Sequence, residues 1–447
     1  MSTSENSYSE AEALNLLAQL ERILDLDPLI DEVGFIHPSQ FATLKEEIGN
    51  SLSSEDKDHE STSFWIRDHK LGISTQILIP VYKAAKHAFI SALRQYKTPG
   101  NFSGKFQDDS VAIEVMIHSK ALLLLSCDFA TAWNSRKLIV SNKQLLPILM
   151  DELRLSAVVL SHSPKSEQAW SHRRWVINMI SRNCSTLQWI IERESELVEK
   201  IAERSKMNYR AWNHRCWLVS FMTREQVKVC CGTISGLFAI PQIHFGIHVL
   251  NELKQARNWS GLHVADNSCF HYHRRLMIWN LEGFCHIQDN NSSGYFVETY
   301  QVWKEELDWN ESLIKRYVGR EALWLHRRFL SLYLIKHIAT HLLGVSCQSK
   351  PKASVDIDID SLMDHELCLV HSCSTTVPNA NFEEFQAQAI HSAAYMLWLT
   401  KQIPEYQGID IQEKLRAGAG DISRMLKRSC PDRSSLWDYL VDYHSEP

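Results

Sequence analysis

Trp170-Ser171-His172-Arg173-Arg174-Trp175 and Trp212-Asn213-His214-Arg215-Cys216-Trp217 are two copies of one short pattern. A small polar loop precedes each copy, Ser163-Pro164-Lys165-Ser166-Glu167 before the first and Lys206-Met207-Asn208-Tyr209-Arg210 before the second. Wound into a helix, Trp170, Arg173, Arg174 and Ile177 share one face at the 3.6-residue period, while His172, Trp175 and Met179 make a second stripe. A helix with two such stripes needs neighbours on both sides, which is the condition inside a stack of helical pairs. The chain therefore reads as a repeat protein.

Working outward, three more copies emerge. Upstream, Ala132-Trp133-Asn134-Ser135-Arg136-Lys137 carries Ser135 at the histidine position. Downstream lies Cys269-Phe270-His271-Tyr272-His273-Arg274-Arg275, with Phe270 in place of the tryptophan. Aligning that copy on His273-Arg274-Arg275 instead would shift it by one, so both registers stay open. The last is Leu323-Trp324-Leu325-His326-Arg327-Arg328. From aromatic to aromatic the intervals are 37, 42, 58 and 54 residues, and each holds an upstream helical pattern, as at 153–160, 197–202 and 303–317. Helix pairs at roughly 34–47 residues are the period of an α-solenoid, so the expected fold is an all-α superhelix of helical hairpins. The two wide intervals carry insertions: a run at 229–251 without any Asp, Glu, Lys or Arg, and Asn290-Asn291-Ser292-Ser293-Gly294.

Around this solenoid, expected over 64–345, the chain divides further. Residues 1–63 hold a helix with Leu14, Leu17, Leu20 and Leu24 at helical spacing, a break at Asp27-Pro28, an extended segment Ile30-Asp31-Glu32-Val33-Gly34-Phe35 and a polar loop at 50–62. Helical patterns at 77–96 and 111–125 flank a Pro99-Gly100-Asn101 turn. A Ser/Asp-rich linker is expected over 346–380, with closing helices over 381–447.

Composition narrows the class. The 447 residues are 45% hydrophobic and 10% aromatic, enough for a sizeable core, and only 16 glycines and 12 prolines favour helices over a turn-rich β protein. A net charge of -6 gives no electrostatic basis for general nucleic-acid binding. Eleven cysteines form no Cys-x-x-Cys pair and no even framework, and Cys230-Cys231 sit in an apolar run, which is the usage of a reduced, cytoplasmic protein. The polar, acidic MSTSENSYSE start has no secretory or transit character. The uncharged run is long enough to span a bilayer, but Pro241, Gly232, Gly236, Gly246, His244 and His248 and the lack of basic flanks favour a buried or partner-facing insertion.

The Trp and Arg positions of the copies suit structural work: tryptophan fills the core and arginine bonds carbonyls or carboxylates between repeats. The loops are different, because amides at helix N-termini face outward and favour an anion. Lys165 and Arg210 sit there in consecutive repeats, placed to meet a diphosphate jointly. Cys269, His271 and His273 lie close in sequence but belong to a repeat helix, so no metal site is expected in this chain.

The five copies resemble the repeats of protein prenyltransferase α subunits. In that family a Pro-Lys-Asn-Tyr-x-x-Trp loop and, one repeat on, a Lys-Asn-Tyr-His-x-Trp loop approach the isoprenoid diphosphate. Here Pro164, Lys165 and Trp170 match in the first, with Glu167 at the tyrosine position; in the second Asn208, Tyr209 and Trp212 match, with Met207 for lysine and Arg210 for histidine. A nearer likeness, to the prenyltransferase α-subunit repeat-containing proteins, takes in Ile30–Gly34, the phrase from Phe129 to Lys137, His263-Val264-Ala265-Asp266 and Ala393-Ala394-Tyr395. The resemblance implies an α subunit that pairs with a Rab-type geranylgeranyltransferase β subunit and transfers geranylgeranyl from its diphosphate to C-terminal cysteines of protein substrates. By it, Lys165 would act catalytically on the departing diphosphate, and Asn208, Tyr209 and Arg210 would line the same site. The zinc that such chemistry needs to generate a thiolate would come from the β subunit, with no cofactor in this chain. The rival expectation is a non-catalytic helical-repeat scaffold.

Overall fold

The computed structural model describes residues 8–41, 43, 63–98, 109–143, 145–181, 187–233, 239–285, 292–344, 359–375 and 383–400, with 402, 427, 434 and 435. The polar loop at 50–62 and the Pro99-Gly100-Asn101 turn lie outside them. The all-α helical-repeat expectation is borne out. Two compact units divide the chain, 1–221 and 222–447.

In the first unit, α1 (Glu10–Leu26) and α2 (Leu78–Lys97) pack together and lead into hairpins. These are α3 (Asp109–Leu125) with α4 (Ala130–Lys143), α5 (Leu146–His162) with α6 (Glu167–Ser181), and α7 (Leu187–Arg204) with the start of α8 (Tyr209–Thr233). The second unit holds α9 (Ala239–Leu262) with α10 (Asn267–Cys285), α11 (Ser292–Arg316) with α12 (Glu321–Gly344), and α13 (Ile359–Thr375) with α14 (Glu383–Thr400).

Trp133, Trp170, Trp212, Phe270 and Trp324 each occupy the fourth position of the second helix of a hairpin, and all are at most 2% exposed. The cap that starts the helix lies four residues earlier in three copies. The Ala169 amide donates to Ser166 Oγ, the Ala211 amide to Asn208 Oδ1, and the Ser268 and Cys269 amides to Asp266 Oδ1. A short polar side chain there satisfies otherwise orphaned N–H groups and sets the phase that turns the aromatic inward.

Three features depart from expectation. Residues 64–74, assigned to the solenoid, are strands: β1 (Glu32–Ile36), β2 (Phe64–Arg67) and β3 (Lys70–Ser74) form a sheet of order β1-β3-β2, with β1 parallel and β2 antiparallel to β3. Asp68 and His69, both at positive φ, make the tight two-residue turn between β2 and β3. The linker expected over 346–380 contains α13. Met363, Glu366, Leu369, Val370 and Cys373 recur at helical spacing and are all buried, a period hidden behind the alternating Val355-Asp356-Ile357-Asp358. On α1, Leu14 stands exposed, and the buried stripe runs through Ala13, Leu16, Leu17, Leu20 and Leu24. The described parts of the uncharged run, 229–233 and 239–251, lie in α8 and α9, and among the described residues no helix is long and apolar enough to cross a membrane.

Candidate functional site

Within each unit, a buried carboxylate stands at the described junctions between neighbouring hairpins. Glu152 on α5 accepts a two-pronged bond from Arg136 of the preceding hairpin (Nη2 2.5 Å, Nε 3.0 Å), and His172 Nε2 of its own hairpin lies 2.8 Å away. Glu194 on α7 repeats this with Arg173 (2.5 and 2.6 Å) and His214 (3.0 Å). The remaining guanidinium nitrogen of Arg136 donates to the Met116 carbonyl and Ser119 Oγ, and that of Arg173 to the Leu153 carbonyl and Ser156 Oγ. In the second unit Glu366 on α13 accepts from Arg327 (2.6 and 2.9 Å) and from the Tyr395 hydroxyl (2.7 Å). Each histidine also lies against the aromatic of the preceding hairpin: Trp133 with His172 at 4.6 Å, Trp170 with His214 at 4.8 Å, Phe270 with His326 at 5.1 Å.

These partners settle the register of the fourth copy. The Tyr272 hydroxyl donates to Glu252, as the histidines bond the carboxylate of their own hairpin. His273 faces Glu306 of the following hairpin, as the arginines do. Phe270 therefore takes the tryptophan place, Tyr272 the histidine place and His273 the arginine place. Electrostatics follow the geometry. Burial alone would raise the Glu152 and Glu194 carboxyls, but Arg136 with His172, and Arg173 with His214, outweigh it and hold both at about 2. Burial pushes His172 and His214 down, toward the neutral ring. Arg and His of the motif are thus consumed inside the stack.

The outward chemistry lies in the loops. Lys165 is exposed in the turn at 163–166, at the entrance of α6. Asn208 is fully buried, and its Nδ2 donates to the Pro164 carbonyl at 2.9 Å, an oxygen that also accepts from Trp170 Nε1 at 3.0 Å. Asn208 thus ties its own loop to the loop of Lys165, and its oxygen is spent capping α8. It holds the site together and is not free to meet a ligand. Tyr209 is half-exposed. The Arg210 guanidinium pairs with Glu167, whose other oxygen accepts from Arg174 Nη2 at 2.8 Å. At the same edge β1 bridges the helices that lead into both loops: the Val33 amide donates to Ser161 Oγ on α5, Phe35 packs on His162, and Glu32 pairs with Arg204 at the end of α7. The strand was legible as an extended segment, but its position beside the loops was not.

The sequence profile of the protein prenyltransferase alpha subunit repeat matches residues 149–180, 191–222 and 303–334. The chain carries protein prenyltransferase alpha subunit repeats. Among curated proteins it is similar to protein prenyltransferase alpha subunit repeat-containing protein 1 of Danio rerio, 29% identical over 292 residues, 57% of this chain and 62% of that one. It is also similar to the Homo sapiens protein of that name, 28% identical over 256 residues (48% and 58%), and to the 1-A form of Xenopus laevis, 28% over 243 residues (46% and 52%). The chain thus spans between about half and three-fifths of the length of these curated relatives.

The three matched prenyltransferase repeats are those with an intact Trp-x-His-Arg. The copies at Trp133 and Phe270 fall outside the match, and they are the two with Ser135 or Tyr272 at the histidine position. Reading the motif alone missed the carboxylate at the centre of each repeat. A signal existed: Glu152, Glu194, Glu252 and Glu306 each precede His172, His214, Tyr272 and His326 by 20 residues.

Proposed function

We propose that this chain is the α subunit of a two-chain protein geranylgeranyltransferase. It would pair with a Rab-type geranylgeranyltransferase β subunit and act on C-terminal cysteines of protein substrates in the cytoplasm. The observation that carries this reading is the Asn208–Pro164 bond, which fastens two consecutive prenyltransferase-repeat loops side by side with Lys165, Tyr209 and Arg210 on their exposed edge. Lys165 offsets the charge that grows on the diphosphate as its bond to the isoprenoid carbon breaks. Arg210 joins it by exchanging the Glu167 carboxylate for a phosphate oxygen, and Tyr209 lines the same edge. Asn208 is a positioning residue. Zinc held by the β subunit would supply the Lewis acidity that lowers the pKa of the substrate thiol.

A second reading, a repeat scaffold without catalysis, is favoured by Glu167, which places a carboxylate between Arg210 and Arg174 where the family carries a tyrosine. Co-expression with the β subunit separates the two. The expected result is a co-purifying complex that transfers geranylgeranyl to a cysteine-terminated protein, with neither chain active alone. A stable complex without transfer would support the scaffold, and no complex would remove the α-subunit reading.

A further inference from the structure

We infer that His273, Glu306 and His326 form a structural zinc site inside the second unit. The inference begins with a substitution in the repeat. At the other described junctions the buried glutamate meets a permanent guanidinium, Arg136, Arg173 or Arg327. At this one the arginine place is His273, so Glu306 faces two imidazoles, and all three side chains are at most 3% exposed. Arg257 brings its Nε only to 3.7 Å from the other carboxylate oxygen, beyond hydrogen-bond reach, and is itself one-third exposed. Arg257 is therefore a loose, partly exposed ion-pair partner, unlike the two-pronged guanidiniums of the other junctions, and a divalent ion would supply the charge this buried carboxylate still needs.

The geometry fits a metal. Nε2 of His273 and Nε2 of His326 converge on the same Glu306 oxygen, at 3.0 and 3.2 Å, and the three atoms lie within 4.8 Å of one another. A tetrahedral zinc with bonds of about 2.0–2.1 Å holds its ligand atoms roughly 3.3–3.4 Å apart. His273 Nε2, despite its 3.0 Å approach, is not aligned for an N–H···O bond and has no hydrogen-bond partner. On the far side of that ring Nδ1 stands 3.5 Å from Ser260 Oγ, which sets its orientation. Two histidines and one glutamate form a known zinc ligand set, with the fourth position taken by the second Glu306 oxygen or a water. The ligands come from α10, α11 and α12, so the ion would staple one hairpin to the next. Enclosed by Trp309, Phe270 and Phe329, it offers no open face to a substrate thiol and does not replace the zinc of a β subunit.

The test uses the full chain, purified under reducing conditions and dialysed with zinc, then with cobalt(II). One zinc per chain is expected, with visible ligand-field bands for cobalt and no thiolate charge-transfer band, which excludes the cysteines. His273→Arg restores the residue used at the other junctions. It should keep the helical circular dichroism while zinc affinity falls by more than about 100-fold, beyond what loss of an outer-shell partner costs. Glu306→Gln, nearly unchanged in size, provides a second variant with the same expected loss. A zinc-free wild type, a cobalt spectrum dominated by thiolate, or undiminished zinc binding by folded His273→Arg would each overturn the site.

Discussion

At the scale of single residues, the buried glutamates hold successive hairpins in place. Removing Glu194 would leave Arg173 and His214 buried without their partner, and breaking such a group from one side costs about 3–5 kcal/mol. Glu194→Ala should therefore shift the urea midpoint strongly, whereas Lys165→Ala, at an exposed turn, should leave it within the error of the measurement. The same carboxylates set a pH dependence. Glu152 and Glu194 have folded values of about 2 against an ordinary 4.5, so the stability they contribute is present above 4.5 and is lost as pH falls toward 2. His172 and His214 are also depressed from 6.5, so their part is complete above that value and is lost below it. Both signs agree. Melting temperature should fall steadily on acidification from pH 7 to 4, and a rise over that range would contradict the junctions as described. In the sequence, Trp170 with Arg173, and His172 with Met179, were legible as two packed stripes because helical period alone exposes them. Their carboxylate partners were not, because a bond spanning 20 residues has no local periodicity.

At the scale of elements, caps and loop ties determine where outward side chains stand. Asn208→Ala removes the cap of α8 and the bond to Pro164 together. The cap alone is worth about 0.5–2 kcal/mol, and amide exchange in the Ser163–Ser166 turn should quicken, since its carbonyl anchor is gone. Unchanged exchange there would mean that the two loops are held independently. Gly319, at φ +76 after α11, is another fixed point: a Cβ there would lie 2.6 Å from the Glu384 carbonyl oxygen on α14. Gly319→Ala should destabilise the second unit by more than the roughly 1 kcal/mol of the backbone strain alone, readable in thermal melts. Hairpins were legible wherever an aromatic marked the second helix. The β2–β3 strands and α13 were not, because short alternating runs such as Phe64–Arg67 and Val355–Asp360 carry too little period to separate strand, linker and helix.

At the scale of the whole molecule, the prenyltransferase repeats establish an architecture, while the candidate site rests on one exposed edge. Their place in loops at helix N-termini picked out Lys165 and Arg210, but no local property of the sequence distinguishes a lysine that meets a diphosphate from one that meets water. Nor does it show that Glu167 has already claimed Arg210. Single-turnover transfer by the complex of this chain with a geranylgeranyltransferase β subunit addresses that edge directly. A fixed cation helps more in the transition state than in the ground state, and losing one preorganised group of this kind costs on the order of 10²–10³ in rate. The expected result is that Lys165→Ala slows transfer by about that factor while the complex still forms and the melting temperature is unchanged. A Lys165→Ala complex that transfers geranylgeranyl at the wild-type rate would contradict the assignment of this edge to the diphosphate.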